Sequence, residues 1–531
     1  MGGQAHPGAR LGDLAKRPDD RGDAPGTDHP SRLKEISMIS TRWQKTAAAL
    51  ALGLMAASCQ TVNPATGKKE FTPFMSPSQE IKIGQDSHPS VVAENGGVYD
   101  DPNLGGYVAS VGGRLAANSE MPELGFTFTL LNTPLVNAFA LPGGYVYVTR
   151  GILALFNSEA EMASVIGHEI GHVTARHTAK RYNQAMMSGL LGAGLGIALG
   201  SSMVNDLISY GSQLYLLSYS RDQEYQSDGL GVRYMTRAGY DPYAAADMLR
   251  ALEAEHALAA LTAKGEQGQR PPEFFSTHPN TENRVAKAEE LASDTGVQKG
   301  ARPRLRDAYL DAIDGMLWGD DPEQGLIRDT VFWHPKLKFT FTAPPDYMMM
   351  NSSEAVYAKG PQGNAVIFTG SAPTASTSTD QAMRAMWQKF AKDLPLGGVE
   401  SLTISGMEAR TGAAMANLQS GPALVRIVTI RYAAEQAFHF LLVTPEKLVQ
   451  ATTAELQRMT YSFRKLADNE LNKYKPLRLK IVTVKKGDTA ASLAQRMAFP
   501  DYQLERFLTL NGLSKSDVLK EGDRVKIVVE G

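Results

Sequence analysis

The chain has 531 residues, 43% hydrophobic and 21% charged, a composition that fits a globular protein of roughly three or four domains and excludes a disordered chain or a coiled coil. Its formal net charge of −2, with both signs spread along the sequence, leaves no basic stripe for a nucleic-acid partner. The single cysteine excludes an intramolecular disulfide and a thiolate metal cage.

Residues 1–37 are rich in Gly, Pro, Asp and Arg and show no hydrophobic period. They read as a disordered extension or a mis-called start, with Met38 as the simpler first residue. Residues 38–58 place Arg42 and Lys45 before an apolar run from Ala47 to Ala57 and small residues after it, which is the order of a signal peptide. The run is about a dozen residues where a membrane span needs ~20, so a cleaved signal is favoured over a permanent span. Cys59, directly after "AAS", resembles the lipobox of bacterial lipoproteins, although Ala56 stands where leucine is usual. That resemblance implies lipidation at Cys59 and a membrane-anchored place in the bacterial periplasm, at the outer membrane. Plain secretion is the alternative.

From residue 60 to 295 helical patterns are interrupted by one strand-like stretch. In "ALPGGYVYVTRG" at 140–151 a Pro-Gly-Gly turn feeds an alternating strand from Tyr145 to Thr149. An open edge there would pair with an extended peptide through the backbone, with low sequence selectivity, making Gly144, Tyr145, Val146 and Tyr147 candidate substrate-binding residues. A purely structural hairpin is the alternative.

"NSEAEMASVIGHEIGHVTARHTAKR" at 157–181 opens with Ser158 and Glu161 in capping-box spacing and contains no proline, which predicts a helix. On it His168 and His172 stand at i and i+4, ~5–6 Å apart on one face, so two imidazoles can share one zinc ion at about 2.0–2.1 Å each. Glu169 lies about 100° further round, placed to hold and deprotonate a water rather than to ligate. The surrounding Val165, Ile166, Ile170 and Val173 predict burial, and buried imidazoles and carboxylates without a partner are costly. His177 reads as a supporting or structural residue, His256 and His334 as ordinary ones.

The glycine-rich apolar stretch at 189–204 is too short to span a membrane. It suits a mobile lid over the cleft, or a simple core hairpin. A catalytic zinc needs a third protein ligand and one open position. The best candidate is Glu224, 52 residues after His172 in "SRDQEYQSDGLG", with Asp228 one turn on to accept the other ring proton of a ligand histidine. His278 and Arg284 in "THPNTENR" at 277–284 are candidates for stabilising an oxyanion; His278 could also swing to cap the metal, and a packing role is open for both.

Together "GHEIGHVTARH", "RDQEYQSDGLG", "NAFALPGGYVYVTRG" and "THPNTENR" resemble the CAAX prenyl endopeptidase and HtpX-like zinc metallopeptidases, family forty-eight of the metallo class, over about residues 65 to 292. The resemblance implies a mainly helical gluzincin-type domain, one Zn2+ per chain on His168, His172 and Glu224, and Glu169 as base. It further implies envelope protein quality control, with unfolded or misassembled envelope proteins as substrates.

Residues 296–330, polar and bearing Pro and Arg, read as a linker with a short helix. Between 331 and 466 alternating segments such as "LKFTFTAP" and "LVRIVTIRY" with two helical stretches predict an α+β domain with an antiparallel sheet and no nameable catalytic constellation. The stretch "IVTVKKGDTAASLA…LNGL…LKEGDRVKI" within 477–531 resembles the LysM module, a small βααβ fold, which implies peptidoglycan as a partner. No aromatic occupies its strand-to-helix turn, which argues for the fold more than for sugar binding. The expected chain is thus multidomain: mainly α, then α+β, then βααβ. Two other functions are open, a latent-peptidase chaperone or adaptor and a peptidoglycan-binding lipoprotein.

Overall fold

The computed structural model describes residues 60–72, 75–192, 218–262, 273–279, 283–392, 394–418 and 420–531. The extension 1–37, the signal segment 38–58, Cys59 and residues 193–204 of the apolar stretch lie outside the described residues.

Two helices position the candidate site. The motif helix, Glu159–Thr174, begins where the Ser158 hydroxyl accepts from the Glu161 amide, and all sixteen of its residues are buried. The acidic helix, Arg221–Arg237, begins with a reciprocal cap between Ser220 and Gln223. They meet at glycine. A Cβ on Gly231 would stand 2.9 Å from the His168 backbone nitrogen, one on Gly167 3.2 Å from Gly231 Cα, and one on Gly171 3.2 Å from the Ser227 carbonyl. Without side chains at these points the two backbones come into direct contact, since the distance between helices is set by the side chains between them. That approach carries Glu224 and Asp228 to the histidines.

A three-stranded sheet flanks the motif helix. Tyr145–Thr149 is its central strand, parallel to Thr127–Leu131 and antiparallel to Ala138–Leu141. Gly143 and Gly144 turn the chain with φ of +81° and +91°, a region that glycine enters without penalty. The expectation of an open edge on Tyr145–Thr149 is therefore corrected: both of its sides are paired, so Gly144, Tyr145, Val146 and Tyr147 cannot receive a peptide by strand addition. The edge nearer the turn is Ala138–Leu141, paired on one side only.

The sheet-rich region is antiparallel throughout its seven strands, in the spatial order Met348–Asn351, Ala355–Lys359, Ala365–Ser371, Gln436–Pro445, Gly421–Ala433, Met407–Leu418, Gly397–Ile404. Phe332, Phe339, Phe341, Phe368, Phe438 and Phe440 fill one core against the helix Val449–Tyr461, while Met383, Met386 and Trp387 of the helix Thr379–Phe390 pack with Ile427 and Leu441 in another.

The carboxy-terminal module has strands Leu477–Thr483 and Arg524–Glu530 around helices Ala490–Ala494 and Gln503–Leu510. Its sheet gains a third strand from far upstream, Leu317–Trp318, with Leu477 opposite Trp318. The stretch 296–330 is consequently no free linker. Its helix Arg306–Ile313 buries Tyr309, Leu310 and Ile313 completely, in one core that also holds Ile152 and Ile166 of the helical region and Leu479, Phe507 and Val528 of the module. Among the described residues no helix is long and apolar enough to cross a membrane.

Candidate metal centre

Because His168 and His172 lie one turn apart on a fully buried helix, their rings converge, with Nε2 to Nε2 at 2.9 Å. The acidic helix adds Glu224, whose Oε1 is 3.4 Å from His172 Nε2 and whose Oε2 is 3.7 Å from His168 Nε2. A fourth donor arrives from the short helix Glu273–Thr277: His278 Nδ1 lies 3.3 Å from His168 Nε2 and 3.1 Å from Glu224 Oε1. The donor atoms of His168, His172, Glu224 and His278 all fall within 4.8 Å of one another, and all four residues are buried.

The outer partners settle which nitrogens carry protons. Asp228 Oδ1 is 2.9 Å from His168 Nδ1. Burial opposes the Asp228 charge, but Arg284 and the His168 hydrogen bond outweigh it and hold the carboxyl below its ordinary value. A carboxylate only accepts, so His168 Nδ1 carries a hydrogen, which in the neutral ring leaves Nε2 a lone pair. The Gln226 side-chain amide oxygen Oε1 accepts from His177 Nε2 at 2.9 Å, and His177 Nδ1 in turn accepts from His172 Nδ1 at 2.8 Å. His172 Nε2 is therefore also a lone pair. Two lone pairs facing each other at 2.9 Å beside a buried carboxylate repel unless a cation lies between them. Ligands of this type at zinc bond lengths of about 2.0–2.1 Å would stand ~3.3 Å apart in a tetrahedron, close to the separations found, so the residues present fit a zinc ion.

Glu169 supplies the second indication. It is fully buried, and neither of its carboxylate oxygens has a hydrogen-bond partner among the described residues. Its Oε1 lies 3.5 Å from His278 Nε2. Burial pushes its carboxyl up to about 8, against the pull of His168. Burial likewise opposes the charge on Glu224, but His278, His172 and His168 hold that carboxyl well below its ordinary value. The two buried glutamates are thus set apart, one as an anion facing the histidines and the other as a group poised to exchange a proton.

Arg284 binds Asp228 through Nε (2.9 Å) and Nη2 (2.7 Å) and reaches Glu224 Oε2 through Nη1 at 3.0 Å. One guanidinium thus orients Glu224 and Asp228 of the second helix together. Gly144 and Tyr145–Tyr147 lie in the turn and central strand described above. Sequence reasoning missed several contributors. Tyr219 stacks on His172 with centroids 3.6 Å apart and an interplanar angle of 16°, under the Arg181 guanidinium at 3.6 Å from its ring centroid. Phe274 stacks on His278 at 4.5 Å and 17°. Gln226 and the glycines at the helix contact were also passed over. Only the glycines left a signal, in the spacing of Gly167 and Gly171.

Residues 102–292 match the model of Peptidase family M48, and residues 482–528 match that of the LysM domain. Over 226 residues the chain is 31% identical to the mitochondrial metalloendopeptidase OMA1 of Schizosaccharomyces pombe, covering 41% of this chain and 63% of that one. It is 33% identical over 224 residues to the putative beta-barrel assembly-enhancing protease of Vibrio cholerae, covering 40% of this chain and 44% of that one. With the beta-barrel assembly-enhancing protease of Escherichia coli K12 the identity is 30% over 230 residues, covering 41% and 45%. The chain thus spans between 44% and 63% of the length of these relatives.

Proposed function

Proceeding from a chain that carries a peptidase family M48 domain and a LysM domain, we propose that it is a zinc-dependent endopeptidase of the bacterial cell envelope that cleaves unfolded or misassembled envelope proteins. The observation that carries the reading is Glu169, a buried carboxylate with both oxygens unpartnered, set beside converging lone-pair nitrogens and a second carboxylate. His168, His172 and Glu224 would hold one zinc ion. When bound, zinc supplies a Lewis acid that polarises the scissile carbonyl and acidifies a water.

The chain's own groups do the rest. Glu169 accepts a proton from the attacking water and passes it to the leaving amine. Asp228 and Arg284 fix the His168 ring, and His177 with Gln226 fixes His172, so neither imidazole must reorient during turnover. The unpaired edge of Ala138–Leu141, buried beside the motif helix, could take an extended peptide by main-chain pairing once uncovered, giving low side-chain selectivity suited to unfolded chains. Lipidation at Cys59 would anchor the chain at the outer membrane facing the periplasm, and the LysM domain could hold it near peptidoglycan. The bacterial relatives' names, which concern beta-barrel assembly, support the envelope assignment.

A specific observation also favours a latent form. His278 Nδ1 stands among the donors where a catalytic zinc needs an open position. The helix that ends at Thr277 is also tied to the residues leading into the edge strand, since the Phe274 amide donates to the Val136 carbonyl, two residues before it, at 3.1 Å. Withdrawing His278 would therefore open the metal and the start of the peptide edge together.

The test is Glu169→Gln in the full chain with casein as substrate. The variant should retain zinc and lose cleavage; wild-type-like cleavage would end the endopeptidase reading.

A further inference from the structure

A lysine without solvent is costly unless all of its donors are used. Lys526, in the last strand of the chain, is fully buried, and its Nζ donates to three main-chain carbonyls, Ala154 and Phe156 at 2.7 Å and Leu155 at 3.3 Å. These carbonyls close the helix Arg150–Leu155 and lead into Ser158, the cap of the motif helix. Burial pulls the Lys526 ammonium well below the ordinary lysine range, against Glu161, and the carbonyls at a helix end are partners that favour its charged form.

The module that brings this cation is itself built into the helical region. Alternate residues of a strand face opposite sides of its sheet, yet Val525, Lys526, Ile527 and Val528 are all at most 2% exposed. Asn511 pins the Lys526 backbone, donating to its carbonyl at 2.9 Å and accepting from its amide at 2.7 Å. Arg306 ties the same elbow again, with Nη1 on the Asn157 carbonyl and Nη2 on the Arg524 carbonyl, both at 2.9 Å. The Asn157 amide in turn donates to Glu161 on the first turn of the motif helix at 2.7 Å. Meanwhile Lys485, Lys486, Gly487 and residues 514–518 remain exposed.

We propose that Lys526 is a positioning residue for the metal centre: the LysM domain braces the point where the His168–His172 helix begins, and the peptidase reaches its full rate only with that brace in place. The effect on activity rests on the peptidase reading; the brace itself does not. His168 lies ten residues beyond Ser158, about 15 Å along the helix axis. An error in where the helix starts is thereby transmitted to its ligands, and displacements of ~1 Å at such sites cost about 100-fold in rate.

The experiment compares full-length wild type with Lys526→Met, which keeps the apolar stem, and Arg306→Met, which cuts the second tie. Kinetics on a casein-derived peptide, zinc content and amide hydrogen exchange are read together. The expected result for Lys526→Met is a kcat lower by about tenfold at unchanged KM, with zinc retained. Exchange should speed up at residues 157–162 and stay the same at 436–445. Arg306→Met should show the same pattern, at about threefold, and it carries the test if Lys526→Met fails to fold. Lys486→Ala, on the exposed turn, should match wild type. Wild-type kcat and wild-type exchange at 157–162 in a folded Lys526→Met or Arg306→Met would overturn the proposal. A wild type that cleaves nothing would instead count against the active peptidase and for the latent form, leaving the exchange result to judge the brace.

Discussion

The candidate metal centre and the seven-stranded sheet both bury histidines, and they treat them in opposite ways. In the sheet, His439 is fully buried with Nε2 2.7 Å from the Ser371 hydroxyl and Nδ1 2.8 Å from the Thr429 hydroxyl, so both nitrogens are satisfied by neutral partners. At the metal centre His168 and His172 are equally buried, but their inner nitrogens have each other, a carboxylate and a third histidine. Burial does not distinguish a functional histidine from a structural one; the unmet valence does. The sheet spends its interior on phenylalanines, and the helical region accepts an electrostatically expensive interior because a cation can complete it.

The comparison can be broken from either side. The largest effect is expected from Glu169→Gln, a fall in kcat of about 10²–10⁴-fold with zinc content unchanged, as for loss of a general base, and with no loss in Tm because the group removed has no hydrogen-bond partner among the described residues. In the sheet, Phe368→Ala should lower stability by about 3–5 kcal/mol, seen in urea unfolding. Below its unfolding midpoint that variant should keep wild-type zinc content and kcat. A drop in zinc content would mean that the two regions are not separable in this way.

Burial lowers the His439 pKa to about 4, while in the unfolded chain it returns to about 6.5. The unfolded state therefore binds the extra proton first as pH falls. The stability from keeping His439 neutral is complete above pH 6.5 and is lost as pH drops toward 4, by about 2 kcal/mol between pH 7 and pH 5. Urea unfolding at the two pH values should show that loss in wild type and a correspondingly smaller one in His439→Gln. An equal pH dependence in both would show that this histidine is not held neutral. A comparable effect is expected from Gly231→Ala, whose Cβ would meet the His168 backbone nitrogen at 2.9 Å. Separating the two helices should cost about 1–3 kcal/mol and weaken zinc affinity as well, measured by chelator competition. An unchanged affinity would mean that Glu224 reaches the histidines without the close glycine contact.

What could be read in the sequence follows the same division. His168, Glu169 and His172 are legible because a helix fixes their geometry locally, and Asp228 follows from Glu224 by one turn. The order of helical, sheet-rich and LysM regions is legible from periodicity. The support around the site is not, because Tyr219, Phe274 and Gln226 reach their histidines through tertiary packing that no local pattern encodes. The edge strand was misplaced for a related reason. "NAFAL" is short and nearly all buried, so it shows no alternation, and the parallel pairing that occupies the other side of Tyr145–Thr149 comes from Thr127–Leu131. Residues 296–330 looked like a linker because Tyr309, Leu310 and Ile313 are set among polar neighbours, and only the LysM domain, some 170 residues on, completes their core.

The central claim, that these four buried donors form a zinc site, is most directly tested by zinc-edge X-ray absorption on the purified full-length chain. One zinc per chain, with nitrogen and oxygen ligands at about 2.0–2.1 Å, is the expected result, three of them imidazoles if His278 closes the site and two if it is withdrawn. A chain that binds no zinc, or a zinc spectrum without imidazole scattering, would contradict it.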